Sequence, residues 1–288
     1  MDLRLNRTKR HAWVTLGLGF ALAVAFVLIA VVSTRATASP MADATAKPKP
    51  TIVLVHGAWA NTASWSGVIE RLEAEGYTVY APPNPLHSLQ GDAQSIADFL
   101  NTIKGPVVLV GHSYGGAVIT NAANYASNVK ALVYVDAFAP AQGESAFQLT
   151  AKFPGSVLTS AAQSEVFRAV AYPGDPKSDP TVYVNPTYFT EGFANDLSAK
   201  AGAVALATQD PVALAAVTAP SGRPAWKHIP SWYAIGSIDK AIPPATQLFM
   251  AKRAGSHITM IPGAGHLSMV SHPAAVTKVI TEAAQAVG

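Results

Sequence analysis

Residues 107–116 read Val-Val-Leu-Val-Gly-His-Ser-Tyr-Gly-Gly. A run of apolar, mostly β-branched residues stops at Gly111-His112-Ser113-Tyr114-Gly115, and Ala117, Val118, Ile119 and Thr120 continue with a helix-compatible pattern. The stretch predicts a strand, a sharp turn and a helix. A serine hydroxyl is a weak nucleophile near neutral pH, so a reactive one must stand at the tip of a tight turn, open to a base and to a substrate. Ser113 has that position. Gly111 and Gly115 carry no Cβ and leave room for the turn. The N–H of Tyr114 opens a helix, whose dipole favours a developing oxyanion. The pentapeptide alone could arise by chance among 21 glycines; the flanking strand and helix set it apart.

Outward from this turn, the chain alternates. Thr51–Val55 is an almost wholly apolar run without alternation, as expected of a strand buried on both faces of a parallel sheet. It ends in His56-Gly57-Ala58-Trp59. Ser64–Glu75 has helical spacing at Trp65, Val68, Ile69 and Leu72, with Gly76 as a stop. Tyr77–Ala81 reads as a strand, Asp92–Ile103 as a helix and Val129–Val135 as the strand after the turn's own helix. This βαβαβαβ order implies a parallel sheet with right-handed crossovers. From about 137 to 229 the alternation gives way to Pro, Gly, Ser and scattered aromatics, with short helical patterns and no clear strand. An insertion of that length beyond a strand's C-terminal end overhangs the edge where such sheets bind ligands, and predicts a helical cap. The alternation resumes with strand Ser231–Ile235, helix Pro243–Ala254, strand His257–Ile261 and a closing helix Ser271–Val287, capped by Ser271.

A nucleophile on such a turn needs a base, and the base needs a carboxylate to orient it. Asp239 lies just beyond one late strand and His266 just beyond the next, on the sheet edge that carries Ser113. Their chain order is Ser, Asp, His. Asp136, which also ends a strand, is the alternative acid, while Asp210 reads as a helix cap or surface group. His56 precedes the first strand's loop, His112 belongs to the turn itself and His272 opens a helix; His87, His228 and His257 lack a glycine-bearing strand-end loop. The loop after the first strand should give the second oxyanion donor, with Ala58 N–H paired to Tyr114 N–H. Trp59 is either a pocket wall or a core aromatic. With it, Phe138 and Phe193 are the candidate substrate-binding aromatics.

The 288 residues contain no cysteine, which leaves no thiol nucleophile and no Cys-based zinc site. Residues 1–38 combine Arg4, Arg7, Lys9 and Arg10, an uncharged apolar run from Ala12 to Val32, and Ala36-Thr37-Ala38, a small-x-small cleavage pattern. This is the pattern of a secretory leader; the run is also long enough to span a bilayer, so an uncleaved anchor is the alternative. Lys9-Arg10 is not a twin-arginine pair, which favours the general secretory route. Residues 39–50, rich in Ala, Thr, Lys and Pro, read as a tether to a domain at 51–288. Removing the leader's five basic side chains and one acid leaves 15 basic and 16 acidic, so the basic isoelectric point belongs to the leader and nucleic-acid binding is not expected. Any membrane contact would come through an uncleaved leader.

Taken together, H-G-A-W (56–59), G-H-S-Y-G-G (111–116), D-K-A-I-P-P (239–244) and G-A-G-H-L (263–267) resemble the α/β-hydrolase superfamily over about residues 51–287. Within it the chain resembles the small serine esterases that include plant methylesterases and hydroxynitrile lyases. The resemblance implies the α/β-hydrolase fold, a mostly parallel sheet flanked by helices. It implies Ser113 as nucleophile, Asp239 and His266 as its partners, Ala58 and Tyr114 as oxyanion donors, a small-molecule ester as substrate and no metal or organic cofactor. The lyases of that group carry a lysine after the histidine and a threonine near the oxyanion loop; here those positions are Leu267 and Gly57. Without the lysine's charge departing cyanide has no cationic partner, so ester hydrolysis is expected ahead of cyanohydrin cleavage. Haloalkane dehalogenases use aspartate at the nucleophile position, which Ser113 argues against. A receptor that had kept the fold and lost catalysis would have no need of all three residues.

Overall fold

Six strands form one all-parallel sheet in the computed structural model, which describes residues 48–172 and 179–288. They are β1 (Thr51–Val55), β2 (Val79–Tyr80), β3 (Val107–His112), β4 (Val129–Val135), β8 (Ser231–Gly236) and β9 (His257–Ile261), in the spatial order β2-β1-β3-β4-β8-β9. The apolar runs without alternation are the central strands: every residue of β3 and β8 is buried, as are all but Thr51 of β1 and all but Lys130 of β4. β2 is only two residues long, shorter than the strand expected over Tyr77–Ala81, and pairs with β1 alone through Val79 and Tyr80.

Helices cover the sheet: α1 (Ser66–Ala74), α2 (Leu89–Asn101), α3 (Tyr114–Ala122), α9 (Pro244–Ala254), α10 (Ser268–Ser271) and α11 (Pro273–Val287). α2 begins three residues earlier than expected because Ser88 Oγ accepts the Gly91 N–H at 3.1 Å and caps it. The closing helix departs from expectation too. Ser271 does not cap it but ends the separate turn α10, and its hydroxyl donates back to Leu267 O. Pro273 disfavours helical backbone at the residue before it, so His272 sits at φ −129°, ψ 48° and becomes the N-cap of α11.

The insertion is built from α4 (Ala146–Thr150), α5 (Gln163–Val166), α6 (Pro186–Gly192), α7 (Ala199–Ala207) and α8 (Leu214–Thr218). The expectation that it has no strand is corrected: β5 (Phe167–Val170), β6 (Thr181–Val184) and β7 (Val212–Ala213) form a small antiparallel sheet. Its root is braced by Arg253 of α9. The guanidinium bonds both oxygens of Glu144, at 2.8 and 2.7 Å, and the Ala139 carbonyl at 3.0 Å. The expected leader at 1–38, and the tether as far as residue 47, lie outside the described residues. No helix among the described residues is long and apolar enough to cross a membrane.

Candidate active site

Four strand ends on one edge of the sheet supply the site: the loop after β1, the turn after β3, and the loops after β8 and β9. Ser113 occupies the turn with φ +53° and ψ −124°, a conformation that costs a non-glycine residue free energy and persists only when its surroundings enforce it. They do so by close backbone approach. A Cβ on Gly115 would stand 2.5 Å from Val55 O, and one on Gly111 would stand 2.6 Å from Gly115 O. Ser113 N–H donates to Val135 O at 3.2 Å, and its carbonyl accepts from Gly116 N–H at 2.9 Å and Phe138 N–H at 3.1 Å.

Ser113, Asp239 and His266 come together. Ser113 Oγ lies 2.9 Å from His266 Nε2, and His266 Nδ1 lies 2.9 Å from Asp239 Oδ2. A carboxylate only accepts, so Nδ1 carries the imidazole hydrogen and Nε2 is free to accept the serine's. Asp239 Oδ1 takes the N–H groups of Ala241 (2.8 Å) and Ile242 (2.9 Å), and Oδ2 takes Gln247 Nε2 at 2.7 Å. Burial pushes the Asp239 carboxyl up and those three donors oppose it. Burial likewise pulls His266 below the usual imidazole value, which keeps the ring neutral and ready to accept a proton. His112 adds a further tie, its Nε2–H donating to His266 O at 3.0 Å.

Asp136 does not serve the histidine. Its Oδ1 accepts Gly236 N–H at 2.6 Å and its Oδ2 accepts the Ser268 hydroxyl, so it clasps the ends of β4 and β8 to the loop after β9. Among the other weighed groups, His56 is structural, its Nε2 accepting the Asn84 N–H at 3.0 Å. Asp210 is exposed and contributes its backbone carbonyl to Trp59.

Ala58 and Tyr114 both line the cavity beside Ser113, and among the described residues neither backbone N–H has an acceptor. Gly57 presses this loop onto the turn: a Cβ there would fall 2.5 Å from Ser113 Cβ. Trp59 is both wall and clamp. It lines the cavity with φ +57°, its N–H donates to Asp210 O and its Nε1–H to Val182 O, each at 2.9 Å, and its ring stacks 5.4 Å from Phe167. Phe138 lines the cavity. Phe193 is not on that wall; it stands edge-on to the His266 ring at 4.8 Å and to Trp59 at 5.4 Å.

The cavity measures about 30 Å³, room for about two waters. The cap walls it with Phe147, Leu158, Phe167, Val182, Leu214 and Val217, and among the described residues no Asp, Glu, Lys or Arg lines it. Two participants escaped sequence reading. Gln247, in the first turn of α9, carries no sequence signal of its bond to Asp239. The cap aromatic Phe147 carries no positional signal. Among the described residues, no three His, Asp or Glu side chains are grouped to hold a metal ion.

A family model described as the alpha/beta hydrolase family matches residues 52–279. The chain belongs to the α/β-hydrolase family. Among relatives of this α/β-hydrolase, the alpha/beta hydrolase nvfD of Aspergillus novofumigatus is 29% identical over 259 residues, covering 82% of this chain and 97% of its own. The carbendazim hydrolyzing esterase of a Nocardioides species is 34% identical over 113 residues, covering 35% of this chain and 47% of its own. In fold, the crystal structure of polyneuridine aldehyde esterase matches with a TM-score of 0.69 at 21% identity, over 82% of this chain and 99% of that one.

Proposed function

We propose that this carboxylic ester hydrolase cleaves small, uncharged esters through an acyl-enzyme on Ser113. The observation that carries the reading is the continuous relay Ser113 Oγ–His266 Nε2 and His266 Nδ1–Asp239 Oδ2, both links at 2.9 Å, beside two N–H groups with no acceptor among the described residues. Ser113 Oγ attacks the ester carbonyl while His266 Nε2 takes its proton. The carbonyl oxygen becomes an oxyanion held by Ala58 N–H and Tyr114 N–H, each such donor contributing about a hundred- to thousandfold in rate. As the tetrahedral intermediate collapses, the imidazolium returns the proton to the leaving alkoxide. Water, deprotonated by the same nitrogen, then releases the acid and frees Ser113. Asp239 stays ionised throughout, orienting the ring and countering its transient charge.

An apolar cavity with no charged side chain among the described residues favours an uncharged substrate, since a charged group would enter it unpaired. Relatives named for hydrolysing carbendazim and pyrethroids fit the same class. Burst kinetics with p-nitrophenyl acetate, with phosphonate labelling read by mass spectrometry, test the reading. Turnover and a label at Ser113, both lost in Ser113→Ala, support it; an intact protein that does neither refutes it. Cyanohydrin cleavage is the weaker alternative, because Gly57 has no space for a side chain and Leu267 brings no charge. From the leader-like residues 1–38 we also propose export, tested by N-terminal sequencing of the protein from cell fractions; an intact N-terminus in the cytosolic fraction would exclude it.

A further inference from the structure

The cap residues Asn195 and Asp196, which follow α6, reach both loops that carry the Asp239–His266 pair. Asn195 Nδ2 donates to Ile238 O at 2.9 Å, one residue before Asp239. Asp196 lies against Gly265, one residue before His266: a Cβ on Gly265 would stand 2.7 Å from Asp196 Oδ1 and 2.3 Å from Asn195 Oδ1. The Asp196 side chain is only 4% exposed, yet neither of its oxygens accepts a hydrogen bond among the described residues. Its near basic neighbour is His272 Nδ1, 3.6 Å from Oδ2, on an imidazole already bonded to Ser271 Oγ at 2.8 Å. A buried carboxylate without donors is unfavourable, and packing alone gives no reason for one at this spot.

We propose that Asp196 is a positioning residue that acts through His266, steadying the base loop at Gly265 and countering the positive charge the imidazole gains as the acyl-enzyme forms and breaks down. This rests on the serine-hydrolase reading above. His266 is faced by Ser113 and His112 from the turn, Asp239 from the loop after β8 and Phe193 from the cap, with Asp196 of the cap set against Gly265, one residue before it. Ser113 is neutral, and burial holds His112 well below the usual imidazole value and so neutral too. Among the described residues the carboxylates are therefore the charges around the ring, and Asp196 opposes the effect of burial on His266. One of them belongs to the core and the other to the cap.

The test compares wild type with Asp196→Asn, Asp196→Ser and Asn195→Ala, measuring kcat and the pH profile of kcat/KM on p-nitrophenyl acetate alongside phosphonate labelling of Ser113. Losing the negative charge makes the imidazolium shed its proton more readily. The acid limb of Asp196→Asn should therefore move down by roughly half a pH unit or more, with kcat about three- to tenfold lower. Asn195→Ala keeps the charge and should leave the limb in place. A limb unmoved in Asp196→Asn overturns the proposal whatever happens to kcat, since a merely structural residue behaves that way. Asp196→Ser repeats the test if the first variant does not fold, and failure of both to fold overturns it as well. A wild type that takes no label refutes the serine-hydrolase reading itself.

Discussion

The sheet edge and the cap hold the two halves of the site by different means. At the sheet edge the contacts are between backbones. Gly111, Gly115 and Gly116 touch carbonyl groups where no Cβ fits, and Asp239 takes two main-chain N–H groups. In the cap the cavity walls are side chains of Phe, Leu and Val, held over the core by bonds such as Ser156 Oγ–Ala241 O at 2.7 Å and Asn61 Nδ2–Thr208 O at 2.7 Å. Backbone contacts fix reacting atoms to within a fraction of an ångström, whereas apolar side chains can be exchanged by size with modest loss. On the proposed reading, the reacting atoms are held at the sheet edge and the choice of substrate falls to the apolar wall of the cap, with Asp196 the cap's proposed tie to the base.

Substitutions can break that division. The largest effect is expected from Ser113→Ala, which should lower kcat by about a hundred-thousandfold or more while thermal unfolding changes little. Gly57→Ala should follow: the new Cβ displaces the oxyanion loop from Ser113, lowering kcat by about a hundred- to thousandfold, and a lowered Tm should accompany it. If Gly57→Ala is active, the backbone contacts are looser than the division requires. Trp59→Phe tests the seam. It removes the bond to Val182 O, so kcat should fall about tenfold with KM little changed. Phe147→Ala or Val217→Ala should leave kcat on acetyl esters within a few-fold and raise kcat/KM for longer acyl chains by about tenfold, read from a panel of esters. An equal loss on every ester would show the apolar cavity wall itself to be part of the chemical machinery.

The smallest expected effect is in the pH profile. Burial lowers the pKa of His266, the ring must be neutral to act as base, and activity falls only when it protonates. The half-maximal point of the acid limb in kcat/KM should therefore lie below about 6.5, the unperturbed histidine value. A limb above that value would mean that Asp239, with any charge from the cap, outweighs burial.

Legibility in the sequence follows the same division. Ser113, Asp239 and His266 could be singled out because each lies in the turn or loop at the C-terminal end of a strand, and in a parallel sheet those ends must share an edge. β5 and β6 are four residues long and β7 two, and the joining segments span 10 and 27 residues, too little pattern for a periodicity argument. Thr181-Val-Tyr-Val184, rich in β-branched residues, was the one signal available there. Phe193 could be singled out as an aromatic, but no spacing reveals that it faces the histidine ring rather than the cavity. Asp196 is equally hidden, since its neighbours at 265 and 272 are about seventy residues away along the chain.

Gly57 bears on the history open to this protein. Any single-codon change there introduces a side chain into space already filled by Ser113 Cβ and His112 O. A lineage leading from this sequence to an oxyanion loop bearing threonine at that position would first have to accumulate shifts in the nucleophile turn that confer no benefit of their own. New activities should therefore arise here by exchange of cap residues far more readily than by rewriting the loop after β1.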